Sequence, residues 1–263
     1  MTTRPTGSHA IQRTLRLVAV VFTVAAYALV ALMGWVFFYV LIAVWRRNPR
    51  ARTLRIQRCI GFGYRFMHDW LRWVRVASFD FREVSFDVPA GPCIVIANHP
   101  TQLDVTSIGA LLAGGCTVVK SEVYRKPILK PLMVGGGLLE GPRGDPVSVG
   151  RVIEDGLARL RDGMRIFVFP EGKRSPPGGL RPFGRVAFEI ACRANVPVVC
   201  IGIRCEPPWL THEVPLFRPP HPMPEVRLSL LATLDPAVSK GDSRALRDRV
   251  ERLYRDWLGL PPS

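Results

Sequence analysis

The chain has 263 residues, of which 48% are hydrophobic, and this is enough to bury the core of one ordinary domain with further segments attached. Its 36 Lys and Arg against 21 Asp and Glu give a formal net charge of +15, which indicates an anionic partner: nucleic acid, an acidic membrane surface or a phosphorylated substrate. The six cysteines contain no C-x-x-C pair and do not combine with the five histidines at zinc-ligand spacing. We therefore expect buried free thiols in a reducing compartment and no bound metal.

The first predicted element is a membrane segment at residues 17–45, after a basic N-terminal tail at residues 1–16. The segment has 29 residues without a formal charge and ends in Trp45-Arg46-Arg47. About 20 helical residues cross a hydrocarbon core, so a tilted transmembrane helix and a re-entrant hairpin bent near Gly34 both fit this length. A signal peptide would have a shorter apolar region followed by a small-residue cleavage site.

A basic, amphipathic region follows at residues 46–80. Residues 46–75 contain nine arginines and one acid, Asp69, interleaved with aromatic and aliphatic side chains. This mixture is typical of a helix in the headgroup layer, with its apolar face toward the lipid and its guanidinium groups on lipid phosphates. Nucleic-acid binding uses a similar charge pattern, but the preceding hydrophobic span favours lipid. The arginines also place the following domain in the cytoplasm, so we expect a protein of the cytoplasmic (inner) membrane.

Residues 81–263 alternate short apolar runs with longer amphipathic stretches. The predicted strands are Cys93–Ala97, Thr117–Val119, Ile166–Phe169, Val198–Ile203 and Val226–Leu231, and the predicted helices are Val105–Leu112, Pro146–Arg161, Arg185–Ala194 and Ser243–Leu258. The uninterrupted runs IFVF and VVCIGI are typical of strands covered on both faces. The pattern predicts an α/β domain with a mixed or largely parallel sheet covered by helices, preceded by an N-terminal transmembrane or re-entrant hydrophobic helix. The proline-rich segment 207–224 is interpreted as a lid or surface loop.

Polar residues follow three of the predicted strands, and functional groups collect where the strands of an α/β sheet end. They are Asn98-His99 with Asp104 after CIVIA, Glu171-Gly172-Lys173-Arg174-Ser175 after RIFVFP, and Arg143 after Leu138-Leu139. A histidine beside a carboxylate is a base whose tautomer is fixed by the acid. Taken alone, the spacing of His99 and Asp104 is as compatible with a core-edge histidine followed by a helix N-cap as with a base and its acid. The cations after the second strand favour a site, because they suit a phosphate-bearing substrate.

No nucleophile motif accompanies the predicted base. The chain has no G-x-S-x-G sequence, and no cysteine follows a strand into a helix in the expected way. The pattern therefore favours direct attack of a substrate hydroxyl on an activated acyl group, without a covalent enzyme intermediate.

Four stretches resemble the motifs of the glycerolipid acyltransferase family, which includes the 1-acylglycerol-3-phosphate acyltransferases. They are NHPTQLD (98–104), GLLEGPR (137–143), FPEGKRS (169–175) and VPVVCI (196–201), in the order of the family's first to fourth motifs. The resemblance implies that His99 is the general base for the acceptor hydroxyl and that Asp104 orients it. The residues assigned to substrate binding are Asn98, Arg143, Glu171, Gly172 and Arg174. Departures from the family at Lys173, Cys200, Gly184 and Val186 bear on the identity of the acceptor.

The resemblance also implies a donor and an acceptor. The donor is an acyl thioester, acyl-CoA or acyl-ACP, used as a co-substrate with no further cofactor. The expected acceptor is a lysophospholipid, with conversion of 1-acylglycerol-3-phosphate to phosphatidic acid. A lyso-ornithine lipid or another pathway-specific hydroxylated lipid is an alternative acceptor, and a non-catalytic membrane adaptor on the same scaffold is an alternative function. Nucleic-acid binding is not expected, because it does not account for the hydrophobic span.

Overall fold

A computed structural model of the protein describes residues 11, 14–25, 40, 42, 48–84, 88–89, 91–113 and 115–261. Residues 14–25 form a helical segment that precedes the labelled elements. The later helices are α1 (Pro49–Trp73), α2 (Asp104–Leu112), α3 (Ser121–Tyr124), α4 (Lys130–Gly135), α5 (Pro146–Arg161), α6 (Val186–Ala194) and α7 (Ser243–Leu258), with a 3-10 turn at Pro236–Ser239. The strands are β1 (Ser78–Asp80), β2 (Ile94–Ala97), β3 (Cys116–Val119), β4 (Leu139–Glu140), β5 (Ile166–Val168), β6 (Val198–Glu206) and β7 (Glu225–Leu234).

The strands of the described chain form one sheet in the order β1-β7-β6-β2-β5-β3-β4. Neighbouring strands are parallel except for β6 and β7, which are antiparallel. The predicted α/β class with a mixed, largely parallel sheet is thus confirmed. Because β2, β5, β3 and β4 are parallel, their carboxyl ends lie along one edge of the sheet, which is where α/β proteins place their sites.

Local sequence signals explain which predicted elements have the right bounds. Helices α5 and α7 begin and end where they are predicted to. Each has an aspartate cap: Asp145 accepts a hydrogen bond from Ser148 N at 2.8 Å, and Asp242 accepts one from Arg244 N at 2.8 Å. The short elements β1, α3, α4 and β4 were not predicted, since two to six residues carry too little periodicity.

The core lies on both faces of the sheet, and alternate residues of the central strands point to opposite faces. In β2, Val95 belongs to the cluster under α1 and α2, whereas Ile94 and Ile96 belong to the cluster under α5, α6 and α7. All six cysteines are free; four are buried, Cys192 is half-buried and Cys59 is exposed. Two-sided burial is the reason why the strand sequences are uninterrupted apolar runs.

The predicted N-terminal tail (1–16) and membrane segment (17–45) lie largely outside the described residues. Within the part of the chain that the structure describes, no helix is long and apolar enough to cross a membrane. The predicted span therefore stays a prediction. The predicted domain boundary at residue 81 follows β1, which pairs with β7 and so already belongs to the sheet.

Helix α1 occupies the region predicted to be an interfacial helix, and one of its apolar faces packs on the domain instead of facing lipid. Ile56 and Leu71 are buried on this face. Gly61 allows α1 to approach α2 closely, because a Cβ at this position would lie 2.9 Å from Ala113 Cα.

A second face of α1 is exposed and carries large aromatic side chains. Phe62, Phe66 and Trp73 are 72%, 58% and 75% exposed. Exposed arginines, among them Arg58, Arg65 and Arg72, accompany them.

Candidate active site

The main chain of His99 is held by the loop that follows β5. His99 N donates to Glu171 Oε1 at 2.9 Å and to Ser175 Oγ at 3.3 Å. The carbonyl of His99 accepts from Ser175 N at 2.7 Å. Because β2 and β5 are paired parallel strands, the loops after them meet, and this brings the predicted first and third motifs into direct contact.

The imidazole of His99 forms a couple with Asp104, the first residue of α2. His99 Nδ1 lies 2.9 Å from Asp104 Oδ2, which also accepts from Thr101 N at 2.8 Å. A carboxylate only accepts hydrogen bonds, so Nδ1 carries the proton and Nε2 has a free lone pair. The N-cap residue of α2 is Leu103. The alternative interpretation of Asp104 as a helix cap is therefore wrong.

The other ring nitrogen of His99 is accessible to a substrate. The side chain is 17% exposed, and among the described residues none hydrogen-bonds to Nε2. One face of the ring lies on Phe169, with 4.4 Å between the ring centroids. The geometry thus provides an oriented base at the sheet edge with its proton-accepting atom open.

Asp104 is fully buried, and this has an electrostatic consequence. Burial raises the pKa of Asp104 to about 6. The hydrogen bond from His99, the positive charge of a protonated His99 and the amide of Thr101 all lower this pKa. Within the described chain, Oδ1 of this carboxylate has no hydrogen-bond partner. The buried, ionised carboxylate therefore depends on the hydrogen bond from His99 for its stabilisation.

Glu171 organises the loop under His99. Its Oε1 accepts from His99 N and from Ser175 Oγ, the latter at 2.7 Å, and its Oε2 accepts from Arg181 N at 2.8 Å. Burial raises the pKa of Glu171, and these hydrogen bonds lower it. The next residue, Gly172, has φ +67°, a left-handed conformation that favours glycine. Since the Ser175 hydroxyl donates to Glu171, it is not activated by the imidazole.

Asn98 and Arg174, both predicted to contact substrate, have their side chains on main-chain groups. Asn98 Nδ2 donates to Ile203 O at 2.9 Å, and its Oδ1 accepts from Ile203 N at 2.7 Å. Arg174 Nη1 donates to the carbonyls of Leu210 and Thr211 at 2.8 and 2.7 Å. Both side chains hold neighbouring segments in place, and their contacts with substrate stay predictions.

Arg143 lies on the same sheet edge but not beside His99. It follows β4, which is three strands from β2, a distance of about 14 Å at the usual strand spacing. Between them, Lys120 follows β3, and both cations are exposed. Lys120 is not among the residues predicted from the sequence, although a cation directly after a parallel strand is a usable signal. Thr101, whose amide reaches Asp104, is also absent from that prediction.

These features define a class of site before any comparison with other proteins. An imidazole oriented by a buried carboxylate, open at Nε2 and without an activated nucleophile beside it, is suited to general-base catalysis. In the described residues, no three His, Cys, Asp or Glu side chains cluster closely enough to hold a metal ion. This geometry is that of an α/β domain with a site suited to removing a proton from a substrate group.

Comparison with known proteins makes this class specific. Residues 82–204 match the family model described as Acyltransferase. The 1-acyl-sn-glycerol-3-phosphate acyltransferase alpha of Homo sapiens is 28% identical over 172 residues, which are 64% of this chain and 59% of that protein. The chloroplastic 1-acyl-sn-glycerol-3-phosphate acyltransferase BAT2 of Brassica napus is 29% identical over 137 residues, 50% of this chain and 40% of that protein. The chain thus spans less than two thirds of the length of either relative.

A solved structure shares the fold. The crystal structure of the 1-acyl-sn-glycerophosphate (LPA) acyltransferase PlsC from Thermotoga maritima superposes with a TM-score of 0.66 at 20% identity, over 95% of this chain and 96% of that one. Residues 82–204 thus match an acyltransferase domain, and the relatives that the chain resembles are glycerolipid acyltransferases, as the sequence motifs predict.

Proposed function

We propose that the protein transfers a fatty acyl group from an acyl thioester to the hydroxyl of 1-acylglycerol-3-phosphate, giving phosphatidic acid. The observation that carries the proposal is the His99–Asp104 couple with Nε2 open at the carboxyl edge of the sheet. Relatives named 1-acyl-sn-glycerol-3-phosphate acyltransferase support this choice of acceptor.

The reaction follows from the protonation states at the couple. His99 Nε2 takes the proton of the acceptor hydroxyl while its oxygen attacks the thioester carbonyl. The new C–O bond forms, the C–S bond breaks, and the proton passes from His99 to the departing sulfur, which leaves as a thiol. Asp104 holds Nδ1–H and stabilises the imidazolium between these two steps. The thiol belongs to coenzyme A or to an acyl carrier protein.

The acceptor phosphate has cations available along the sheet edge. Lys120, Arg143 and Lys173 are all exposed there or in the loop after β5. Cationic side chains bind phosphate by charge-assisted hydrogen bonds, so these residues are candidates to hold the acceptor's phosphate.

The acceptor is tested by incubating the full-length protein with acyl-CoA or acyl-ACP and a panel of lyso-lipids, with products read by mass spectrometry. We expect phosphatidic acid from 1-acylglycerol-3-phosphate, at a rate at least roughly tenfold above that with monoacylglycerol, because one lost phosphate contact exceeds about 1.4 kcal/mol. Faster conversion of a lyso-ornithine lipid would reassign the acceptor. No transfer to any acceptor would favour the adaptor function.

We also propose that the protein works at the cytoplasmic face of the inner membrane, with the exposed aromatic face of α1 in the lipid interface. Phe62, Phe66 and Trp73 project from this helix among exposed arginines. Aromatic rings inserted at headgroup depth, with guanidinium groups on lipid phosphates, are typical of interfacial helices.

Contact of α1 with lipid is tested by fluorescence quenching of the full-length protein in vesicles that contain brominated phosphatidylglycerol. We expect Trp73→Phe to remove part of the bromine-quenched emission, because Trp73 is 75% exposed on α1. Trp257→Phe is the matched control. Trp257 lies on α7, on the other face of the sheet, and its ring packs against the guanidinium of Arg204. An equal effect of the two substitutions would contradict the proposed orientation.

A further inference from the structure

Part of the proline-rich loop lies directly on the catalytic loop. Trp209, Leu210 and Thr211, here called the strap, follow β6, and Trp209 is only 1% exposed. Thr101 Oγ1 donates to Trp209 O at 2.7 Å, and Gln102 N donates to Leu210 O at 3.2 Å. The segment between His99 and Asp104 is therefore held by the strap and not by its own turn alone.

Arg174 holds the strap from the other side. Its Nη1 donates both to Leu210 O at 2.8 Å and to Thr211 O at 2.7 Å. The carbonyl of Arg174 accepts in turn from Arg181 Nε at 2.9 Å, which fixes the backbone from which the guanidinium extends. Leu210 O thus receives one hydrogen bond from Arg174 and one from the catalytic loop.

The backbone of the strap needs such support. Leu210 has φ +56°, a left-handed conformation that is unfavourable for a leucine. A conformation of this kind persists only where surrounding contacts hold it. The charged donor of Arg174 bonds the carbonyls of Leu210 and Thr211, which belong to the two successive peptides after the Leu210 α-carbon, and hydrogen bonds from a charged donor are stronger than neutral ones.

We propose that Arg174 is a positioning residue, which acts on catalysis by holding the strap against the catalytic loop, and is not the residue that binds the acceptor's phosphate. Its effect passes through Leu210 O to Gln102 and through Trp209 O to Thr101, whose amide bonds Asp104 Oδ2 at 2.8 Å. The inference rests on the proposed function, because it assigns a role within the acyl-transfer site.

The kinetic test compares Arg174→Met with the wild type on two acceptors, 1-acylglycerol-3-phosphate and monoacylglycerol. A positioning role predicts that kcat falls about 10- to 100-fold, by the same factor for both acceptors, with KM for the phosphate acceptor changed less than about threefold. Arg174→Lys should recover part of this loss, since its ammonium still reaches one carbonyl. A large rise in KM for the phosphate acceptor alone, with kcat unchanged, would overturn the proposal.

Two further variants separate positioning from general destabilisation. Thr101→Val removes the bond to Trp209 O, and its effect on kcat should combine with that of Arg174→Met less than multiplicatively, because both act through the strap. Arg204→Met removes a similar guanidinium–carbonyl bond, to Trp257 O, away from the strap, and should leave kcat within about twofold. Fully multiplicative effects of the first pair would contradict the shared route.

A measurement that does not depend on turnover separates a failure of this inference from a failure of the proposed function. Hydrogen exchange is measured on the full-length wild type and on Arg174→Lys and Arg174→Met, in peptides that cover Gln102 and the strap. We expect at least about tenfold faster exchange in both peptides of Arg174→Met, with peptides of α5 and α7 unchanged. If the wild type transfers no acyl group but this exchange pattern appears, the proposed function fails and the strap contact stands. Unchanged exchange at Gln102 in both variants would overturn the inference.

Discussion

Replacing His99 with alanine is expected to lower kcat/KM for acyl transfer by at least about 100-fold, because a general base contributes about 10²- to 10⁴-fold. The side chain is the only part of His99 removed, and the bonds of its main chain to Glu171 and Ser175 remain. The fold should therefore survive. Initial rates with 1-acylglycerol-3-phosphate, measured beside the unfolding temperature of the same preparation, give the result.

The matched control for this substitution is His212→Ala. His212 is an exposed histidine of the proline-rich loop, and its removal should leave turnover unchanged. Near-normal turnover of the His99 variant, with its fold intact, would contradict the assignment of the base.

Replacing Asp104 with asparagine is expected to lower turnover and to change how the stability of the fold depends on pH. Turnover should fall about 100-fold or more, since a neutral amide neither fixes the His99 tautomer nor stabilises the imidazolium. Burial raises the pKa of Asp104 from its ordinary value of 3.8 to about 6 in the folded chain, so the folded chain binds a proton more readily than the unfolded chain between about pH 4 and 6. Ionisation of Asp104 consequently costs stability as pH rises through this window, and about two pKa units correspond to about 3 kcal/mol.

The stability prediction concerns the difference between wild type and Asp104→Asn at two pH values. The variant does not ionise at this position, so its stability relative to wild type should increase by about 2 kcal/mol from pH 4 to pH 8, the rest of the effect lying below pH 4. Denaturant unfolding of both proteins at each pH measures this difference. If wild type instead gains stability relative to the variant as pH rises, the His99 hydrogen bond outweighs burial and the carboxylate is stabilised by the fold.

The sequence predicts the elements of this fold wherever the signals are local. Helix α5 has its aspartate cap, its proline at the first position and its apolar face within one segment, so both ends are predictable. Strand β1 depends on pairing with β7 far along the chain, and β4 has two residues. Nothing within such short segments distinguishes them from loops. A helical pattern does not say which neighbour covers an apolar face, so the sequence alone does not predict that one face of α1 packs on the domain.

The residues of the site also divide into those that local sequence predicts and those that depend on contacts between distant segments. His99, Asp104 and Glu171 follow from strand ends and motif spacing, and the structure places them in contact. The bonds of Asn98 to Ile203 and of Arg174 to Leu210 join distant segments, and composition gives no sign of them. The proline-rich composition predicts a lid or surface loop, whereas Trp209 in this loop is buried against the catalytic loop. Residue type alone thus predicts a substrate contact, and it gives no sign that the fold also uses these side chains to support neighbouring segments.

The central claim is that His99 deprotonates an acceptor hydroxyl that attacks the thioester directly. Rapid-quench mixing of the full-length protein with labelled acyl donor, followed by mass spectrometry of both lipid and intact protein, tests it most directly. Direct attack predicts labelled phosphatidic acid only when 1-acylglycerol-3-phosphate is present, with no acyl group on the protein at any time. An acylated protein that forms before the product, and is consumed as the product appears, would contradict it.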